Sequence, residues 1–155
     1  MKVVIHDDPP ETFGEIALSE ELPSKLGLKT PLIERVLAEL DRAGMLGADE
    51  SLTIRLCLDE LITNAIKHGN KGDETKTFRT TLFLDGARWA IRVEDQGEGF
   101  TPRDVPDVDD PETWYFTHGR GVLIITQYMD DVWYYAGGSR VQLVKNKKPV
   151  ARRAT

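Results

Sequence analysis

Between residues 51 and 70, Ile54, Leu58, Leu61, Ile62, Ala65 and Ile66 recur at the three- and four-residue spacing of a helix lying on a core. At about 100° per residue, Glu60, Asn64, Lys67 and His68 fall on the opposite edge, within an arc of roughly 100°. This segment is therefore predicted to bury one face and to line up a carboxylate, an amide and a cation along one border. Asp49 or Ser51 is the expected cap at its start, and Gly69 the stop. A second helical stripe, Leu32, Val36, Leu37 and Leu40, precedes it. There Thr30 is the expected cap, Pro31 the expected first helical residue, and Gly44 the approximate end.

The remaining pattern reads as strands. Residues 13–22 alternate weakly, after a short Asp/Pro-rich lead, and residues 77–84 and 87–94 alternate more clearly. Asp85-Gly86 between the last two is a two-residue hairpin signal. Residues 95–121 form a long connection rich in Gly, Pro and Asp, a length that in a compact domain usually carries function. A short helix (122–129), a strand (131–136), a Gly137-Gly138 turn and a last strand (140–145) follow. These elements predict an α+β fold: a two-layer sandwich with helices on one face of a mixed, mostly antiparallel sheet.

Composition narrows the function. The 155 residues carry a net charge of −6, which argues against a surface built for nucleic acid but leaves room for an anion held locally by backbone N–H groups, a lysine and a metal. The lone Cys57 has no internal disulfide partner and sits within the helical run, so it is expected to be buried in a protein of a reducing cytoplasm. No apolar run reaches the roughly 18 residues of a spanning helix, and the start of the sequence has no secretory hydrophobic region. Absence of repeats and of low-complexity linkers supports one domain over residues 1–155, with its core at about 15–147.

Three clusters carry candidate chemistry. On the helix edge, Glu60 and Asn64 lie one turn apart, so their heads can converge on a metal-bound phosphate. Magnesium keeps several waters, so one Asn carbonyl plus phosphate oxygens is a sufficient ligand set. Taken alone, that edge equally describes a solvated helix face. The second cluster is Glu94-Asp95-Gln96-Gly97-Glu98-Gly99-Phe100, directly after a predicted strand. An aspartate there can accept from an exocyclic amine, and glycines let the backbone come close to a ring; a plain glycine-rich turn is the alternative. It is neither a dinucleotide fingerprint nor a GxxxxGK[ST] phosphate loop. The third is Gly119-Arg120-Gly121 at the start of the short helix, where freed N–H groups and the helix dipole favour an anion, or where glycines serve only a tight turn.

In this order the clusters resemble the GHKL (Bergerat-fold) ATPase superfamily, and within it the anti-sigma-factor serine/threonine kinases of bacteria. Residues 58–69 (LDELITNAIKHG) resemble the N box, 94–100 (EDQGEGF) the first glycine box and 119–131 (GRGVLIITQYMDD) the second. The resemblance implies ATP and Mg2+ as cofactors and an ATP lid at about 101–118. Asn64 would bind the magnesium, Glu60 would be the general base, and Lys67 a supporting cation; His68, at the helix end, fits either a phosphate contact or a C-terminal cap favoured by the dipole. Asp95 would accept from the adenine amino group, with Gly97 and Gly99 shaping the base pocket and Ser139 placing a hydroxyl near the base. Gly119, Arg120 and Gly121 would meet the phosphates. The implied partner is an antagonist protein bearing a phosphorylatable Ser or Thr, with a sigma factor as a further expected partner and a homodimer compatible with the family. Gln96 stands where a second acid is common, which is expected to alter water contacts near the base.

Lesser features stay unassigned. Trp114, Tyr115 and Phe116 fit either lid packing or a partner anchor. Asp104, Asp107, Asp109 and Asp110 match no calcium loop and are interrupted by Pro106 and Pro111. His6 and His118 show no partner in sequence. Besides the kinase, two readings remain open: a nucleotide-gated binding module, and the ATP-binding half of a histidine-kinase-like system. None of the histidines lies in a phospho-accepting dimerisation helix, which counts against the last.

Overall fold

The computed structural model describes residues 4–12, 14–98 and 124–147. Gly99, Phe100, the 101–118 loop with its aromatics and His118, and Gly119, Arg120 and Gly121 lie outside the described residues. Strands β1 (Ile5–His6), β2 (Glu15–Pro23), β3 (Thr77–Leu84), β4 (Arg88–Glu94), β5 (Asp131–Tyr135) and β6 (Arg140–Asn146) form one sheet in the order β1-β5-β6-β4-β3-β2. Every pair is antiparallel except β1 with β5, so the sheet is mixed, as expected.

Helices α1 (Lys29–Arg42) and α2 (Ser51–Thr63) pack on one face. Their stripes meet Phe78, Leu82, Trp89, Ile91, Val93 and Leu143, the inward alternation of β3, β4 and β6. Leu32, Val36, Leu40, Ile54, Leu58 and Ile62 are fully buried, each contributing about 1.5–3 kcal/mol. Cys57 is buried with them as expected, and desolvation pushes its thiol up to about 11, leaving it inert near neutral pH.

The helix caps differ from expectation. A 3-10 turn (Leu26–Leu28) feeds α1, so Leu28 occupies the cap position and Thr30 and Pro31 fall within the first turn, where a missing N–H costs nothing. At α2 the cap position is Glu50, with no side-chain cap bond, rather than Asp49 or Ser51. Lys29 instead braces the two helices, its ammonium 2.9 Å from Asp59 and 3.1 Å from Thr63 Oγ1.

The Asp/Pro-rich lead is a strap on the sheet. β1 lies next to β5, while β2 is at the opposite edge of the sheet. Five interstrand steps of about 4.8 Å must be covered between them, about 24 Å. The lead bridges part of that span at its described residues 7–12. It crosses the face away from the helices, where Trp133 Nε1 donates to Asp8 O (2.9 Å) and Gln142 Nε2 to Glu11 O (3.1 Å). On the same face Phe83, Ala90 and Val144 are buried, and Arg92 lies over the Phe83 ring while donating twice to Gln142 Oε1. His6, without a partner in sequence, stacks on Trp133 at 3.4 Å between ring centroids.

Candidate functional site

Asp95 owes its place to strand parity. Ile91 and Val93 point into the helix-side core, so the next residue of that parity emerges at the end of β4 under the end of α2. Glu94 points the other way, toward Arg140 (3.9 Å). The antiparallel register of β4 and β6 pairs Glu94 with Arg140 and brings Ser139 alongside Asp95, whose N–H donates to Ser139 O (2.9 Å). The Ser139 hydroxyl itself donates to Ala136 O (2.9 Å), at a turn where Ala136, Gly137 and Gly138 all take positive φ.

Helix α2 does not simply stop at Gly69. From Asn64 to Gly69 the coil widens to a π-helix, and Asn70 N–H donates to Ala65 O, five residues back (2.8 Å). Widening turns fewer degrees per residue than an α-helix, so the simple arc does not describe residues beyond Asn64. Glu60 and Asn64 remain one α-turn apart and half-buried, the Asn64 N–H donating to Glu60 O. Lys67 and His68 are exposed. Glu60 lies toward β5: burial first, and then its carboxylate, push the Tyr134 hydroxyl up to about 12.

The wide coil ends against the first glycine turn with no room to spare. A Cβ on Gly69 would stand 2.1 Å from Asp95 Oδ2, and one on Gly97 would stand 2.1 Å from the Gly69 carbonyl oxygen. Both glycines are therefore required by close approach. Asp95 Oδ1 accepts from Gly97 N–H (2.8 Å), whereas Oδ2 accepts no hydrogen bond among the described residues. Burial pushes the Asp95 carboxyl up to about 6, against the opposing pull of Gly97 N–H and the Lys76 ammonium.

Asn70 is the site residue that sequence reasoning did not single out. It is fully buried, its amide nitrogen donates to Ser24 Oγ (2.8 Å) and Thr77 O (2.9 Å), and its amide oxygen accepts from Gln96 N–H (2.8 Å). The only signal was a polar residue directly after the helix-stopping glycine. Asn70→Ala strands the Gln96 N–H and the Thr77 carbonyl, and is expected to cost about 3 kcal/mol, read as a lower urea midpoint at unchanged slope. Gln96 is held through its side chain as well. Its side-chain oxygen accepts from Thr77 N–H (2.8 Å), so its effect is to anchor the start of β3.

A family model described as the histidine kinase-like ATPase domain matches residues 22–145. The chain belongs to this family. Among curated relatives, it is 27% identical over 108 residues to an anti-sigma F factor of Anoxybacillus flavithermus, an alignment covering 63% of this chain and 70% of the relative. It is 26% identical over 111 residues to an anti-sigma F factor of Geobacillus kaustophilus, covering 67% and 73%. A serine-protein kinase RsbW of Listeria monocytogenes is 29% identical over 110 residues, covering 65% and 70%.

For a histidine kinase-like ATPase domain the donor set is chemically suitable. Asp95 Oδ2 is an acceptor with capacity for an exocyclic amine, and the half-buried Asn64 amide makes no side-chain hydrogen bond among the described residues. No helix among those residues is long and apolar enough to cross a membrane.

The raised Asp95 pKa has two consequences with a defined sign. Between the ordinary carboxylate range near 4 and pH 6 the folded state holds the extra proton, so this group's contribution to stability falls as pH rises through that window. An amine donor, in contrast, is held more strongly by the ionised form. With Asp95 as the proposed acceptor for the adenine amino group, ATP affinity is expected to fall about tenfold between pH 7 and pH 5. Titration calorimetry on the wild type and Asp95→Asn checks this, because the variant keeps the triphosphate's own titration and loses only the carboxylate's.

Proposed function

We propose that this protein binds ATP with magnesium and is a serine/threonine-protein kinase that phosphorylates an antagonist protein in a bacterial partner-switching pathway, with a sigma factor as the regulated partner. The observation that carries the reading is Glu60 one turn ahead of Asn64 on the helix that ends over Asp95. Family membership and the names of the relatives, anti-sigma F factor and serine-protein kinase RsbW, support it.

Each residue has a role in this reading. Asp95 accepts from the adenine amino group, and Gly97, Gly99 and Ser139 line the base. Asn64 holds the magnesium, which when bound neutralises phosphate charge and fixes phosphate geometry. Lys67, His68, Gly119, Arg120 and Gly121 attend the phosphates. Glu60 takes the proton of the antagonist's hydroxyl as that oxygen bonds to the γ-phosphorus and the bond to the bridging β,γ-oxygen breaks, releasing ADP.

The test is transfer of label from γ-labelled ATP to a candidate antagonist, mapped to one Ser or Thr. Transfer within minutes at stoichiometric protein supports the kinase. Nucleotide-dependent capture of a sigma factor with no transfer would instead favour a nucleotide-gated binding module, the reading that the anti-sigma F names favour on their own.

A further inference from the structure

We propose that Asn70 is a positioning residue for base recognition: it holds the Asp95-Gln96-Gly97 turn so that the Asp95 carboxylate discriminates in favour of a purine carrying an amino group at C6. The inference rests on the ATP-binding reading above and deepens it.

Two observations converge. The first is steric. The Asp95 carboxylate sits in the space that a side chain on Gly69 would fill, with Oδ2 nearest, and Gly97 presses on the Gly69 carbonyl from the other side. The carboxylate therefore has little freedom as long as the two backbone segments keep their distance. The second is the bond that keeps it. Asn70, the residue after Gly69, reaches across that gap and accepts the N–H of Gln96, the residue after Asp95 (2.8 Å). Adjacent residues on one segment thus clamp adjacent residues on the other.

The clamp is oriented and cannot rotate away. Donation to Thr77 O, a carbonyl that can only accept, by itself fixes which end of the amide is nitrogen, so its oxygen must face Gln96. The wide coil places the residue: Gly72 N–H, not Asn70 N–H, takes Ile66 O, while Asn70 N–H takes Ala65 O. An uninterrupted α-helix would point residue 70 elsewhere.

A residue that only stabilises the fold would weaken all nucleotides alike. A positioning residue changes the ratio between two ligands that differ only in the amino group. The experiment compares ATP with purine riboside triphosphate, which lacks that group, by magnesium-supported calorimetric titration. For the wild type, ATP is expected to bind about 10- to 100-fold more tightly. In Asn70→Ala, or in Asn70→Ser should alanine not fold, the advantage is expected to shrink to about threefold through weaker ATP binding, with purine riboside triphosphate little changed. Ser24→Ala removes a different partner of the same amide, and is expected to lower stability while keeping the wild-type ratio.

An Asn70 variant that folds and keeps the full wild-type ratio overturns the positioning role while leaving ATP binding intact. A wild type that binds ATP without preferring it overturns the assignment of Asp95 to the amino group, and this inference with it. A wild type that binds neither nucleotide overturns the ATP reading itself.

Discussion

Glu60→Gln is expected to slow phosphoryl transfer to the antagonist by about 10²–10⁴-fold, while ATP affinity stays within about threefold. The amide keeps the size of the side chain and its place one turn ahead of Asn64. It cannot take a proton from an attacking hydroxyl. Because Asn64 and Asp95 are untouched, the proposed contacts to base and metal are kept, and the loss appears in the rate alone. Single-turnover transfer from γ-labelled ATP, with calorimetric ATP affinity measured alongside, separates the two. A variant that transferred label at the wild-type rate would remove Glu60 as general base and leave the nucleotide site standing. A variant that lost affinity as much as rate would place Glu60 among the groups that hold nucleotide instead.

Asp95→Ala is expected to weaken ATP binding about 100-fold. The methyl side chain leaves the adenine amino donor facing a cavity without an acceptor, and removes the partner of Gly97 N–H (2.8 Å). Two groups then lose their hydrogen bonds together, and the turn that carries Gly97 loses its internal brace. Asp95→Asn, retaining an oxygen that can accept from either donor, is expected to lose only about tenfold. Equal affinities for wild type and Asp95→Ala in a magnesium-containing titration would falsify the assignment of the base pocket. The fold should survive, since the carboxylate is a raised-pKa group whose burial costs stability at neutral pH.

Both variants lie in segments that the sequence made visible for different reasons. Glu60 and Asn64 were legible because a helix with one buried side writes its period into the chain: Ile54, Leu58, Leu61 and Ile62 face the core, so the polar edge follows by geometry. Asp95 was legible only as a carboxylate after a strand. Which way it faced depended on Ile91 and Val93 being the inward residues of β4, and its closeness to Ser139 on the register of β4 with β6. Thr30, Asp49 and Ser51 do not occupy the cap positions, because short polar side chains near a helix start signal only the capacity to cap. At α1 a 3-10 turn supplied the entry, and at α2 the helix began without a side-chain bond. β1 was missed because two residues carry no alternation, and its partner β5 lies far along the chain.

Periodicity and composition by themselves determined the two helices on one face of a sheet, the β3–β4 hairpin at Asp85-Gly86, the burial of Cys57 and the polar edge of α2. All of these follow from local propensity and from which side of an element meets water. The strap across the outer face, the wide coil at the end of α2, and the meeting of Gly69, Asn70, Asp95 and Gly97 were decided only by the tertiary structure. Close packing between segments distant in sequence sets such contacts. A glycine needed because a carboxylate from another strand fills its side-chain space looks, within its own segment, like any glycine that ends a helix.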